Sequence, residues 1–343
     1  MKENKEITVF IKGITIVLMF CNHLFPIPEW IFDSNKVISI AIGSKTVASY
    51  VGGFGKICVA VFAVLTGIGL YYVFQRRLYQ ENFMARIKYS VRKICDILIS
   101  YWGILFAFYI PLATIFSVNN YTVNELLCNI FLIKTSIIQV AWYLRFYVEL
   151  MLTLPVLYLL LRDTNKYRDS IIFGVIVLIH LVADLADSKY FEEYFNYLMV
   201  VMIGFFFEKY KINQKIARTF KKKIFFNIVV LLALVLCRGI FKSVQFFNTD
   251  IIFAPIFVGI VYDLYFRLKS CLRHIIIVLG EYSLELWLLH AIFFIGSERL
   301  QTIGYWPKID ILILIWTLCI LFPFAKLYNS LFSKIKCFIS RTE

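Results

Sequence analysis

Charged residues are scarce in this chain, and their scarcity excludes an ordinary soluble protein. Asp, Glu, Lys and Arg make up only 17% of the 343 residues, whereas 61% are hydrophobic. The apolar runs are too long and too numerous to be the core of a soluble domain of this size. The composition therefore predicts a multi-pass membrane protein, and we expect it in the cell membrane, the cytoplasmic membrane of a bacterium.

Paired cysteine motifs are also missing. The eight cysteines are scattered singly and no CxxC occurs, so neither a disulfide framework nor a metal-ligand spacing is present. Most of them lie in or beside apolar segments, where reduced cysteine is a small apolar filler. We therefore expect no metal cofactor.

No stretch is long enough for a separate soluble domain. The longest interval between predicted spans, 28–51, can fold back as a lid or a re-entrant segment but cannot form a core of its own. Internal repeats are absent as well, which weighs against a transporter built from paired halves. We expect one integral-membrane domain over residues 1–343.

Hydropathy predicts an all-α membrane bundle with about ten transmembrane helices. Each segment is near the roughly 20 residues that cross the hydrocarbon. The predicted spans are 7–27, 52–75, 91–116, 138–161, 170–187, 193–208, 223–241, 248–266, 274–296 and 309–330.

The net charge is +14, and its uneven distribution among the loops sets the predicted orientation in the membrane. Positive loops such as 76–93 and 208–223 alternate with neutral or acidic ones such as 117–137. The positive-inside rule then puts both termini in the cytoplasm. Because the basic residues flank spans and do not form one stripe, we expect the bilayer as a partner and no nucleic acid.

The first predicted span carries one polar group near each end. Lys12 and His23 are eleven residues apart, so on a helix they differ by about 20° in direction and about 16.5 Å along the axis. A histidine inside a membrane helix is a functional-site hypothesis by default. A buried structural histidine and a lysine anchored at the interface are the plain alternatives.

A basic cluster leads into the third predicted span. Arg86, Lys88, Arg92 and Lys93 lie where the chain enters the membrane from the cytoplasm. Arginine and lysine at such a position suit phosphate or pyrophosphate groups, although charge that only sets topology has the same pattern.

Two later apolar segments carry candidate substrate-binding or orienting residues. In the fourth, Trp142 precedes Arg145 and Glu149, whose i, i+4 spacing is most simply an ion pair. In the ninth, the candidates are Ser283, Glu285 and His290. Glu285 lies about 140° around the helix from His290, so we expect the two side chains to contact different neighbouring helices.

Four motifs in this order resemble the membrane acyltransferase-3 family over essentially the whole chain. The first is similar to a helix in which ten residues separate an arginine or lysine from a later histidine, and the second to an aliphatic-aromatic run ending in Ser-Gly. The others are similar to a Trp-Phe-Leu segment with a downstream proline and to a late Ser-x-x-(Tyr/Trp)-Leu-x-His pattern. The matching stretches are KGITIVLMFCNH, VAVFAVLTGIGLYY, AWYLRFYVELMLTLP and GEYSLELWLLHAIF.

This resemblance implies acyl transfer, usually of acetyl, from acyl-CoA to a hydroxyl of a surface polysaccharide or its lipid-linked precursor. His23 would be the catalytic histidine and Lys12 the basic residue of the same motif. Arg92 and Lys93 would match a basic pair on the side that receives acetyl-CoA. The chain departs from the family pattern with Lys12 in place of arginine, Thr66 in place of serine, and Asp96 near a position that is often arginine.

Two questions stay open at this point. His23 can act as a general base or form a transient acyl-histidine. The rival function is an exporter or flippase for a polysaccharide or a lipid-linked sugar, with polar residues that line a pathway. Transfer of label from acetyl-CoA to glycan separates an enzyme from an exporter.

Overall fold

The protein is almost entirely helical, in agreement with the all-α prediction. The computed structural model describes residues 2–25, 31–32, 35–43, 45–78, 81–116, 121–163, 165–241, 249–294 and 297–341. Each of the ten predicted spans contains helix among its described residues. Within the described residues, the β structure is a short antiparallel ladder of β1 (Ala41–Ile42) and β2 (Lys45–Thr46) and an isolated bridge between Ile38 and Ile309.

Several of the helices are long and apolar enough to cross a bilayer. Among the described residues one further pair, Ser270–Glu281 and Ser283–Phe293, meets this criterion jointly but is bent by 69°. The number of spans and the side of the termini stay predictions. Within the same residues, five helical segments meet the length and hydropathy criterion without a sharp bend: Lys5–Leu24, Val47–Arg76, Phe83–Ile115, Gln139–Leu161 and Asp310–Phe332.

Contacts divide the chain into two compact units. The first comprises Met1–Thr15, Ile57–Lys93 and Phe146–Ile277. It contains the first part of α1 (Lys2–Leu24), α3 (Cys58–Arg76), the start of α4 (Phe83–Ile104), most of α7 (Trp142–Leu161), α8 (Lys166–Leu185), α9 (Lys189–Lys209), α10 (Ile212–Phe220), α11 (Ile224–Phe241), α12 (Asp250–Arg267) and most of α13 (Ser270–Glu281).

Small residues let α3 and α9 pack closely in the first unit. A Cβ added at Gly67 would lie 1.9 Å from the Val201 carbonyl oxygen, and one at Gly204 would lie 2.2 Å from that of Val64. Gly69, two residues further along α3, has open space where its Cβ would be. Of the two glycines in the second motif, Gly67 therefore allows close helix packing and Gly69 does not take part in it. Such packing is a common use of small residues in membrane bundles.

Buried charges in the first unit are paired across helices. Lys209 at the end of α9 lies 2.6 Å from Asp169 on α8, and both side chains are nearly inaccessible. Arg238 on α11 lies 2.8 Å from Asp250 on α12. These pairs tie consecutive helices together, because an unpaired charge at such a depth would be costly.

The second unit comprises Ile16–Lys56, Ile94–Arg145 and Val278–Glu343. It holds the end of α1, the β ladder and the remainder of α4, which continues through a π-helical turn. Its further helices are α2 (Val47–Gly55), α5 (Ile110–Ile115), α6 (Val123–Ile130), α14 (Ser283–His290), α15 (Glu298–Gly304) and α16 (Asp310–Arg341), with 3₁₀ turns at Gln139–Ala141 and Ala291–Phe294.

Two predicted boundaries need correction. The predicted loop 76–93 is helical from Phe83, so the basic cluster lies on the first turns of α4. The predicted span 274–296 is not one uninterrupted helix, because α13 ends at Glu281 and the chain bends at Tyr282 before α14. Hydropathy missed the bend because the helices on both sides of it are apolar on average, and the polar residues Glu281 and Ser283 beside it are too few to interrupt a predicted span.

The described part of the interval 28–51 folds against α15. The backbone N–H of Phe32 donates to the side-chain carbonyl of Gln301 at 2.8 Å, and Ile38 N–H donates to the Lys308 carbonyl at 2.6 Å. Gln301 is buried, and Asn35 donates to the same side-chain oxygen at 3.3 Å. The described part of this segment therefore folds back onto α15 and Lys308. Its role as a lid or a re-entrant segment stays a prediction.

Candidate active site

The first helix, α1, is unbroken from Lys2 to Leu24, as the predicted stripe of Lys12 and His23 requires. Both side chains are half-buried. Immediately after His23, the Leu24 carbonyl accepts a hydrogen bond of 2.7 Å from the buried hydroxyl of Tyr305. This bond fixes the end of α1 against the residue that follows α15.

The imidazole ring of His290 contacts that of His23. Its Nε2 is 2.7 Å from His23 Nδ1, and the ring centroids are 4.8 Å apart with 31° between the planes. His290 is the last residue of α14 and is only 1% exposed. Of the three candidates on the ninth predicted span, Ser283, Glu285 and His290, the structure thus places His290 against His23.

The surroundings of His290 hold its ring in place. Its Nδ1 contacts the carbonyl oxygen of Trp287, one turn earlier on α14. The ring of Phe20 lies 5.2 Å from the His290 ring, between centroids. The hydroxyl of Tyr109 donates to the Leu288 carbonyl at 2.6 Å, which anchors the same turn of α14.

This hydrogen-bond chain determines the tautomer of both rings. A carbonyl oxygen can only accept, so Nδ1 of His290 carries a hydrogen and donates it to Trp287. A charged ring this deeply buried would be costly, so neutral His290 has its lone pair on Nε2 and accepts from His23 Nδ1. The lone pair of His23 is then on Nε2, and within the described residues that nitrogen makes no hydrogen bond. An imidazole in this state is ready to accept a proton.

Glu285 and Ser283 lie on the same helix but away from this pair. Glu285 is 4% exposed and accepts a hydrogen bond of 3.2 Å from the Asn329 amide on α16. The prediction that Glu285 and His290 contact different neighbouring helices is confirmed, since His290 contacts α1. Ser283 is buried at the first turn of α14.

The comparison with known families identifies the chain. A family model described as an acyltransferase domain, acyltransferase-3, matches residues 10–327. The chain belongs to this acyltransferase-3 family. It is therefore a membrane protein and an acyltransferase, as the four motifs predicted. No curated protein and no solved structure gave a match.

The basic cluster of the acyltransferase divides into buried and exposed members. Arg86 is 7% exposed; its guanidinium carbon lies 3.9 Å from the Tyr158 ring centroid, and it donates to the Glu81 carbonyl. Lys88 and Arg92 are exposed, and Lys93 is half-buried. Arg86 thus has partners within the first unit, while the exposed members are better placed to meet an anion.

The candidates on α7 are each half-buried. Trp142, the first residue of α7, lies edge-on to its neighbour Tyr143 with ring centroids 5.8 Å apart. Arg145 and Glu149 follow on the same helix. Roles in substrate binding for Trp142, Arg145 and Glu149 stay predictions.

Three residues of the candidate site escaped sequence reasoning. Tyr143 lies beside Trp287, with ring centroids 5.3 Å apart, although Trp142 was the predicted aromatic. Trp287 acts through its main-chain carbonyl, which side-chain chemistry cannot reveal. Tyr305 is remote in sequence from the α1 terminus that it holds. The one available signal was the i, i+3 spacing of Trp287 and His290, which puts an imidazole near a carbonyl at the end of a helix.

Proposed function

We propose that the protein transfers an acyl group, most simply acetyl, from acyl-CoA to a hydroxyl of a cell-surface polysaccharide or its lipid-linked precursor. The observation that supports this proposal best is the hydrogen-bond chain that leaves the lone pair of His23 on Nε2. A general base needs an accepting nitrogen of fixed orientation, and a merely structural histidine does not. Membership in the acyltransferase family supplies the reaction class.

The proposed reaction moves one proton through His23. Nε2 takes the proton of the acceptor hydroxyl as the oxygen attacks the thioester carbonyl and forms the new C–O bond. The tetrahedral intermediate collapses by breaking the C–S bond, and the leaving thiolate recovers the proton from His23. His290 receives the Nδ1 hydrogen bond throughout, so the ring does not rotate away when it is charged.

The donor's phosphates are assigned to the predicted cytoplasmic side. The phosphates would bind cationic side chains on α1 and α4. These are Lys12, the exposed Lys88 and Arg92, and the half-buried Lys93. Arg86 supports the cluster by fixing the start of α4 on Tyr158. The acceptor enters from the opposite side, where the segment 28–51 and α15 lie near the end of α1 in the second unit.

The test is transfer of labelled acetyl from acetyl-CoA to glycan in membranes. His23→Ala should abolish transfer while the protein is still inserted, since losing a positioned general base costs about 10²- to 10⁴-fold. His274→Ala is the matched control, because His274 is exposed on α13. Transfer retained in His23→Ala would refute the role of His23. No transfer by the native protein, together with glycan export, would favour the exporter.

A further inference from the structure

A cavity of about 350 Å³ lies wholly within the first unit. It is open to one side and lined by the start of α1, the C-terminal half of α3, Glu208 near the end of α9, the amphipathic helix α10 with the residue after it, and the middle of α12. Its volume falls within the range of small-molecule sites, about 300–1,000 Å³. None of the residues with a role in the proposed reaction lines it.

The walls of this cavity differ in chemistry. Residues from α1, α3 and α12, such as Ile11, Leu65 and Val258, form an apolar side. The side formed by α10 and the residue after it is polar and carries Arg218 and Lys221. A ligand that fills both parts has an apolar portion and an anionic end.

The one carboxylate on the lining is already engaged. Glu208 accepts hydrogen bonds from the Tyr72 hydroxyl and, at 3.1 Å, from the Asn213 amide. Within the described residues neither Arg218 nor Lys221 is paired with a carboxylate. Two cations therefore face the cavity against one carboxylate with other partners, which favours an anion.

The position of α10 is fixed before any ligand binds. Gly259 on α12 lets it approach closely, since a Cβ there would lie 2.5 Å from Ile216 Cγ2. Just beyond α10, Asp263 accepts the Lys222 backbone N–H at 2.9 Å and the Asn227 amide at 2.8 Å. Arg218 on α10 and Lys221 just after it thus extend from a segment that contacts α12 at Gly259 and at Asp263. This preorganisation lowers the entropic cost of binding.

We propose that this cavity binds the phosphate end of an amphiphilic ligand through Arg218 and Lys221. A guanidinium fork next to an ammonium point charge suits a phosphate or diphosphate better than a single carboxylate. Two sources have this chemistry. One is the diphosphate of the acyl donor, an option that rests on the proposed function and leaves the donor's ribose-bound phosphate to Lys12 and the cluster on α4; the other is the headgroup of an anionic phospholipid.

The experiment compares two charge-matched double variants. Arg218→Gln with Lys221→Gln removes the cations of the cavity, whereas Lys211→Gln with Lys215→Gln removes the same charge from α10 and the residue before it, outside the lining. Gly259→Val, which displaces α10, is a second probe. Equilibrium binding of coenzyme A and retention of phosphatidylglycerol are measured on each purified protein, with thermal unfolding to confirm folding.

The expected result is loss of one ligand in the cavity variant only. Coenzyme A bound about tenfold more weakly or worse, with phosphatidylglycerol retained, identifies the donor as the source, because the charged hydrogen bonds to its phosphates are lost. Loss of phosphatidylglycerol with unchanged coenzyme A binding identifies the lipid. No change in either ligand, or equal loss in the control variant, overturns the proposal. Binding needs no turnover, so an inactive His23→Ala protein that still binds coenzyme A separates this test from that of the proposed function.

Discussion

The two units handle buried polar groups in opposite ways. In the first, permanent charges are held by permanent partners, as in the pair Lys209–Asp169. In the second, the central pair His23–His290 is neutral and ends in a main-chain carbonyl. An ion pair fixes helices because neither charge can be given up, whereas a neutral imidazole keeps a lone pair for a proton. The difference separates the ion pairs that join helices of the first unit from the imidazole pair of the second, which is suited to proton transfer.

The largest expected effect breaks an ion pair of the first unit. Lys209→Met leaves Asp169 buried beside Tyr210 without its cation, and we expect a loss of about 3–5 kcal/mol in the free energy of unfolding. Denaturant unfolding in detergent measures it. Adding Asp169→Leu should recover most of the loss, and a double variant as unstable as the single one would contradict the pairing.

The next effect concerns the neutral pair of the second unit. His290→Phe removes the acceptor of the His23 Nδ1 hydrogen and with it the hydrogen bond that would stabilise the charged ring, which is worth about 1.5–3 kcal/mol, or roughly 10- to 150-fold in rate. We expect kcat to fall while KM for donor and acceptor is unchanged. His290→Gln, whose amide oxygen can accept the same hydrogen, should restore part of kcat. A fall in stability with normal kcat would assign His290 to packing alone.

A smaller effect sharpens the packing side of the comparison. Gly67→Ala puts a methyl group against the Val201 carbonyl, and overpacking of this kind costs about 1–3 kcal/mol. Gly69→Ala meets nothing within 4 Å and should be neutral or stabilising by about 0.5 kcal/mol. Thermal unfolding of both variants tests the difference, and equal Tm values would show that α3 and α9 are not in close contact at Gly67.

The smallest effect is at an exposed pair. The Arg168 guanidinium, hydrogen-bonded to Asp163 at 2.7 Å, lowers the pKa of that carboxyl. The pair therefore contributes its stability above the unfolded pKa of Asp163 and loses it as pH falls through the lower folded pKa. In Arg168→Gln an NMR titration should show the Asp163 pKa returning towards its ordinary value, with little change in Tm. An unchanged pKa would exclude the hydrogen bond as its cause.

Helix positions were predictable from the sequence, whereas the interruption of one helix was not. Hydropathy located α1, because a continuous apolar run has only one way to satisfy its backbone in a membrane. It did not locate the break at Tyr282, since an average over the length of a span hides the short polar stretch 280–283 between two apolar helices.

The candidate site was predictable in part. His23 was evident because a polar ring in an apolar helix is conspicuous, and Lys12 followed from helical spacing. The partner of His23 was not, since Ser283, Glu285 and His290 were equally polar on one predicted span. Only the tertiary fold shows that His290 meets His23 while Glu285 meets Asn329. The burial of Arg86 on Tyr158 likewise joins residues remote in sequence.

The main-chain carbonyl of Trp287 at the far end of the imidazole pair has one more consequence. A carboxylate in that place would hold a negative counter-ion against the protonated ring and let it persist, but a peptide oxygen offers only a dipole. A cation formed on His23 is thus left short of compensation in an apolar interior. In the proposed reaction, such a state would favour rapid transfer of the proton to the departing sulfur, so the proton taken from the acceptor would pass to the thiol before either product leaves.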